Sequence, residues 1–257
     1  MKQLQQKKGF ICDMDGVIYH GSKLLSGAKK FVKWLRSENK EFLFLTNNSS
    51  MTRKELQIKL RNLGIDVGEA HFYTSALATA SFLAKQRPGG SAYVIGDAGL
   101  TNAMYDVGFS MNNTNPDYVV LGETRTYNYE MMERATQLVI GGAKLIGCNF
   151  DTTGPAEGGI VPATRALISP IEMATGRQAY FVGKPNPLMM RHGLKLLGVD
   201  KEDAAIIGDR MDTDIVAGIE AEIETVLVLS GVTTRESMLE FAYQPRYILD
   251  GVGNVAE

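Results

Sequence analysis

Short apolar runs, each closed by a polar or glycine residue, recur along the chain: Gly9–Asp13, Phe42–Thr46, Ala92–Asp97, Tyr118–Glu123, Lys144–Asn149, Ala204–Asp209 and Thr225–Ser230. Between most of them lie stretches with helical spacing. Arg53–Leu63 carries Leu56, Leu60 and Leu63 and stops at Gly64; Pro187–Leu197 carries Leu188, Leu194 and Leu197 and stops at Gly198. A periodic apolar face ended by glycine predicts an α-helix. Strand and helix signals in alternation predict an α/β fold with mostly parallel sheets. Ligands of such sheets bind beyond the carboxyl ends of the strands. The polar residues closing the runs are therefore where chemistry is to be sought.

The polar ends that look catalytic fall at 13–15, 46–47, 184 and 209–214, which leaves the stretch from about 80 to 180 without one. That stretch has strands and helices of its own, enough for an inserted domain. The expected division is a core over 1–79, an insert over 80–179 and the rest of the core over 180–257, with the exit through Ala174-Thr175-Gly176-Arg177. The 257 residues are 44% apolar and 22% charged with a net charge of −2, an ordinary globular balance that points to no nucleic-acid or membrane partner. No apolar stretch approaches the roughly 20 residues that span a bilayer. Met1–Lys8 is polar and basic and has no apolar signal core, so the expected location is the cytoplasm. Cys12 and Cys148 sit in apolar runs and read as small buried thiols, and His20, His71 and His192 are too scattered to form a zinc site.

Four pieces of sequence fit one reaction. In Asp13-Met14-Asp15-Gly16-Val17 the two carboxylates point to the same side of an extended strand end. One can attack phosphorus while the other moves the leaving-group proton. A turn or a fragment of a calcium loop would look the same in isolation. Thr46-Asn47-Asn48 offers a hydroxyl and amides for phosphate oxygens, or simply a helix N-cap. Lys184, in Gly183-Lys184-Pro185-Asn186-Pro187, is a rigidly placed ammonium that can neutralise charge on nucleophile and phosphoryl group. In Gly208-Asp209-Arg210-Met211-Asp212-Thr213-Asp214 three aspartates at a strand end repel one another unless a cation sits among them. Hard oxygen donors favour Mg²⁺. Asp209 and Asp13 are the expected direct ligands, and Asp214 is expected to orient Lys184 or a metal-bound water.

As a set, Asp13-Met14-Asp15-Gly16-Val17, Thr46-Asn47-Asn48, Gly183-Lys184-Pro185 and Gly208-Asp209-x4-Asp214 resemble the four motifs of the haloacid dehalogenase superfamily. Asp15 resembles the mark of its phosphatases. The insert's place between the second and third motifs resembles the C2 cap class. Gly122-Glu123-Thr124-Arg125, Gly147-Cys148-Asn149-Phe150-Asp151 and Val228-Leu229-Ser230-Gly231-Val232 resemble the NagD-type subfamily, subclass IIA. The resemblance implies a Rossmann-like parallel-sheet core with an inserted α/β cap. It also implies a Mg²⁺-dependent phosphomonoesterase of nucleotide, sugar or similar phosphates, working through an aspartyl-phosphate. The expected catalytic residues are Asp13, Asp15 and Lys184, and the expected metal set is Asp13, Asp15 and Asp209, backed by Asp214. Thr46, Asn47, Lys184, Arg210, Met211, Asp212 and Thr213 would bind the substrate phosphate. A cap–cap homodimer would fit the resembled group. The cap region Thr152–Pro162, where substrate contacts are expected, holds the run Gly154-Pro155-Ala156-Glu157-Gly158-Gly159, which matches no one member's specificity loop. A phospho-accepting receiver domain is the main rival, disfavoured by the chain length and by the two-residue spacing of Asp13 and Asp15.

Overall fold

The computed structural model describes residues 1–156 and 159–257, so Glu157 and Gly158 of the expected specificity loop lie outside the described residues. The described chain divides into two compact units: residues 1–46, 56–73 and 184–257 make the first, and residues 47–55 and 74–183 the second.

The first unit is built on a six-stranded sheet with the order Tyr247–Leu249, Glu224–Val228, Ala204–Gly208, Gly9–Cys12, Glu41–Thr46 and Phe72–Thr74. Gly9–Cys12 runs parallel to both Ala204–Gly208 and Glu41–Thr46. It is buried along its whole length, as a strand covered on both faces must be, and its sequence is accordingly apolar without alternation. Helix Ala28–Ser37 presents Phe31, Val32 and Leu35 to this core. Phe10 packs edge-on against Phe31 and Trp34, with centroids 6.3 and 5.4 Å away. Each such buried side chain contributes roughly 1.5–3 kcal/mol. Helix Pro187–Leu197 starts where the Asn186 side chain accepts from the Leu188 amide and stops at left-handed Gly198, the bounds that its sequence predicts.

The second unit has a five-stranded sheet in which every pairing is parallel, ordered Tyr180–Phe181, Lys144–Gly147, Tyr118–Leu121, Ser91–Ile95 and Ser110–Met111. Its core gathers Ile95, Val119, Leu121, Leu145, Ile168 and Ile171. An antiparallel hairpin pairs Thr153–Ala156 with Gly159–Pro162. The division differs from the expected 80–179. Helix Ser75–Gln86 is capped by Thr74, whose hydroxyl accepts from the Leu77 amide, so Ala80 falls inside a continuous helix that belongs wholly to this unit. Residues 47–55 join it as well. There the Gly99 amide donates to the Ser50 carbonyl at 2.9 Å. A Cβ on Gly99 would stand 2.6 Å from the Met51 carbonyl oxygen. Gly99 of Gly96-Asp97-Ala98-Gly99 thus serves a close backbone approach at the start of helix Ala98–Asp106.

Candidate active site

The carboxyl ends of three neighbouring strands of the first unit carry the candidate residues. Asp13 follows Gly9–Cys12, Thr46 ends Glu41–Thr46, and Asp209 follows Ala204–Gly208. Lys184 reaches into this group. Its ammonium lies 2.7 Å from Asp13 Oδ1 and 2.7 Å from Asp214 Oδ1, and it donates to the Leu45 carbonyl at 3.3 Å. Lys184 is almost wholly buried, as is Asp214. Burial works against the ammonium, but the two carboxylates outweigh it and its pKa rises.

Burial pushes Asp13 up to about 7, with Lys184 opposing and the Asp214 charge adding to the rise. Asp209 rises to about 8, through burial first and then the charges of Asp214 and Asp13. Oxygens of Asp13, Asp209 and Asp214 all lie within 4.8 Å of one another. Three buried carboxylates against one ammonium leave negative charge in excess, and the donors are hard oxygens. That is the donor set and the charge that a hard divalent cation such as Mg²⁺ takes up.

Asp209 is moulded into place by absent side chains. Its carboxylate accepts from the Val232 amide at 2.7 Å. A Cβ on Gly231 would come within 2.0 Å of Asp209 Oδ2, and one on Gly16, at φ +80°, within 2.4 Å of the same atom. Ser230 donates to the Gly16 carbonyl at 2.7 Å, locking the two loops together. This loop appeared in the sequence only as part of a resemblance, because its work is done by backbone. Residues 211–215 then wind as a π-helical turn that brings Asp214 back onto Lys184, a wider turn that recurs at functional sites.

Asp15 stands apart from the carboxylate cluster, more exposed, with His20 Nδ1 3.2 Å from its Oδ1. The expected metal set has it with Asp13 and Asp209; the side-chain oxygens that lie together are those of Asp13, Asp209 and Asp214. Tyr19 and Lys59, which no motif singled out, line the same neighbourhood. The Lys59 ammonium sits 3.7 Å above the Tyr19 ring, and burial lowers its pKa while Asp15 raises it. Arg210 forks onto exposed Asp212 through two hydrogen bonds of 3.0 and 2.7 Å. Thr213 is buried, and Met211 packs with Ile215 and Leu227. Asn47 belongs to the second unit, where its amide donates to Asp151 Oδ2 at 2.9 Å. Asn149 and Asp151 form an Asx turn: the Asp151 amide donates to Asn149 Oδ1 at 3.2 Å. Cys12 and Cys148 are both free and buried.

Fold and site define an α/β protein with an acidic, cation-ready centre at the carboxyl ends of a parallel sheet. Residues 10–110 match the family described as haloacid dehalogenase-like hydrolase, and residues 181–255 match the HAD-hydrolase-like family. The dihydroxyacetone phosphatase of Corynebacterium glutamicum is 42% identical, over 96% of this chain and 90% of that protein. The ribonucleotide monophosphatase NagD of Escherichia coli is 40% identical, over 96% of this chain and 98% of its own. Among solved structures, the 4-nitrophenylphosphatase of Thermotoga maritima superposes with a TM-score of 0.95 at 35% identity, covering 99% of this chain and 98% of that one. The chain belongs to the haloacid dehalogenase-like hydrolases.

Proposed function

We propose that this hydrolase is a Mg²⁺-dependent phosphomonoesterase that cleaves small phosphate esters through an aspartyl-phosphate on Asp13. The observation that carries the reading is the buried line Asp13–Lys184–Asp214 with Asp209 beside it. Lys184 engages Asp13 Oδ1 at 2.7 Å, which leaves the other carboxylate oxygen to attack phosphorus. As that bond forms, the bond from phosphorus to the leaving oxygen breaks, and Asp15 gives that oxygen its proton. Asp15 then takes a proton from the water that attacks the acyl-phosphate, releasing phosphate and restoring Asp13. Asp214 holds Lys184, while Thr46 and the turn Arg210–Thr213 offer donors to the phosphoryl oxygens. Asp13, Asp209 and, as the sequence reading has it, Asp15 would hold the Mg²⁺. When bound, the ion supplies positive charge that offsets the crowded anions and polarises the phosphoryl group.

The second unit is read as the inserted C2-type cap of the family resemblance, and a homodimer fits the same resemblance. Among the described residues no helix is long and apolar enough to cross a membrane, and two free buried thiols fit a cytoplasmic location. The relatives' names suggest which esters to try: dihydroxyacetone phosphate, ribonucleoside monophosphates, sugar phosphates and 4-nitrophenyl phosphate. Phosphate release is measured from each, with Mg²⁺, with chelator and with Asp13→Asn. Turnover that needs both Mg²⁺ and Asp13 is expected. No release from any ester, with stable phosphate on Asp13 after acyl-phosphate treatment, would favour the receiver reading instead.

A further inference from the structure

The chain passes between the two units at four places, and three of these converge inside the second unit on one buried hydrogen-bonded knot. Asn47 directly follows Thr46. Its carbonyl accepts from Ser75 Oγ at 2.6 Å, next to the crossing at Thr74, and from Asn149 Nδ2 at 2.8 Å. Gly183 directly precedes Lys184. Its amide donates to the Cys148 carbonyl at 2.7 Å, and a Cβ there would stand 2.7 Å from Asn47 Oδ1. Glu123 closes the knot. Its Oε1 accepts the other Asn149 N–H at 3.1 Å, and its Oε2 accepts from the Ser49 amide at 3.4 Å. Ser49 returns the contact, its hydroxyl accepting from the Glu123 amide at 2.8 Å. The fit leaves no slack: a Cβ on Gly122 would lie 2.7 Å from Ser49 Oγ.

We infer that Glu123 is a positioning residue for phosphoryl transfer: through Ser49 and Asn149 it fixes the crossings that carry Thr46 and Lys184. It touches neither substrate nor metal in this role, which rests on the proposed roles of Thr46 and Lys184. Asn149 spends both amide hydrogens inside the knot, one on Glu123 and one on Asn47. Without the Glu123 carboxylate it can turn away, and the Asn47 carbonyl then loses one of its two donors. A small displacement carried along the chain to Thr46 or Lys184 would lower the rate of the chemical step more than ground-state binding.

The test compares wild type, Glu123→Gln and Glu123→Ala by steady-state kinetics with 4-nitrophenyl phosphate and by amide hydrogen exchange. In Glu123→Ala, kcat should fall about 10- to 100-fold with KM within about threefold of wild type. Glu123→Gln, which keeps one acceptor oxygen, should recover part of the loss. Exchange should rise about tenfold or more in peptides covering 47–51, 74–75 and 183, with the sheet strands of the second unit unchanged. Unchanged exchange at those crossings overturns the inference, and so does faster exchange with wild-type kcat. A uniform rise across the second unit overturns it too, because Glu123 would then only stabilise. If wild type releases no phosphate, the phosphatase reading fails on its own, while the exchange data still decide whether Glu123 holds the crossings.

Discussion

Both units place polar groups at the carboxyl ends of a parallel sheet, yet they neutralise them in opposite ways. In the first, Asp13, Asp209 and Asp214 crowd around a single ammonium, leaving an excess of negative charge that a further cation or bound protons would balance. In the second, the Glu123 carboxylate is met by neutral donors, the Asn149 amide and the Ser49 N–H. Burial raises Glu123 to about 7, with Asn149 and Ser49 opposing. A strand end that is self-sufficient in hydrogen bonds is built to hold a shape. One that is short of positive charge is built to receive something.

The strongest way to break this comparison is at Asp13. Asp13→Asn removes the proposed nucleophile and should cost at least about 10³-fold in kcat, read by initial-rate phosphate release; a variant retaining a tenth of wild-type turnover would refute the assignment. Next comes Lys184→Met, which leaves the carboxylates without their internal cation. Removing one partner of a buried ion pair costs about 3–5 kcal/mol, measurable by urea unfolding at pH 7 with chelator present.

A third, smaller effect concerns pH. Asp13 and Asp209 titrate near 7 and 8 in the folded chain, against 3.8 for the ordinary group. The folded state therefore binds more protons than the unfolded one between about pH 4 and 8, and stability falls as pH rises through that window. The melting temperature in chelator should drop from pH 5 to pH 8. Mg²⁺ should restore it at pH 8, and Asp209→Asn should blunt both responses. The smallest effect belongs to Glu123. The same sign holds over a narrower window, 4.5 to about 7, so Glu123→Gln should flatten the pH dependence of the melting temperature there without altering the response to Mg²⁺. Equal Mg²⁺ responses in Asp209→Asn and Glu123→Gln would erase the distinction between the two strand ends.

The local parts of this design were legible. All seven apolar runs became strands, because a strand buried on both faces has to be apolar throughout and its polar terminus stands out. Helix Pro187–Leu197 declared itself through Asn186, Pro187 and Gly198. Two- and three-residue strands such as Tyr180–Phe181 and Tyr247–Leu249 are too short to carry a period, and they take their place only by pairing. Residues 47–55 could not be assigned to the second unit from sequence, since the bond that ties Ser49 there spans 74 positions. Glu123 was visible only as the close of an apolar run and within a resembled motif, because its partners are a backbone amide and an asparagine from distant segments. The clustering of Asp13, Lys184 and Asp209 was legible because charge at the end of an apolar strand has few structural explanations.

The glycines pressed against Asp209 have a consequence for how such a sequence can drift. Positions 16 and 231 contribute no functional group at all, yet the space they leave empty is filled by the carboxylate of Asp209. In a saturation library selected for turnover, even alanine there should be purged as thoroughly as substitutions of the acid itself. Part of what this chain must transmit to its descendants is written in atoms it does not have.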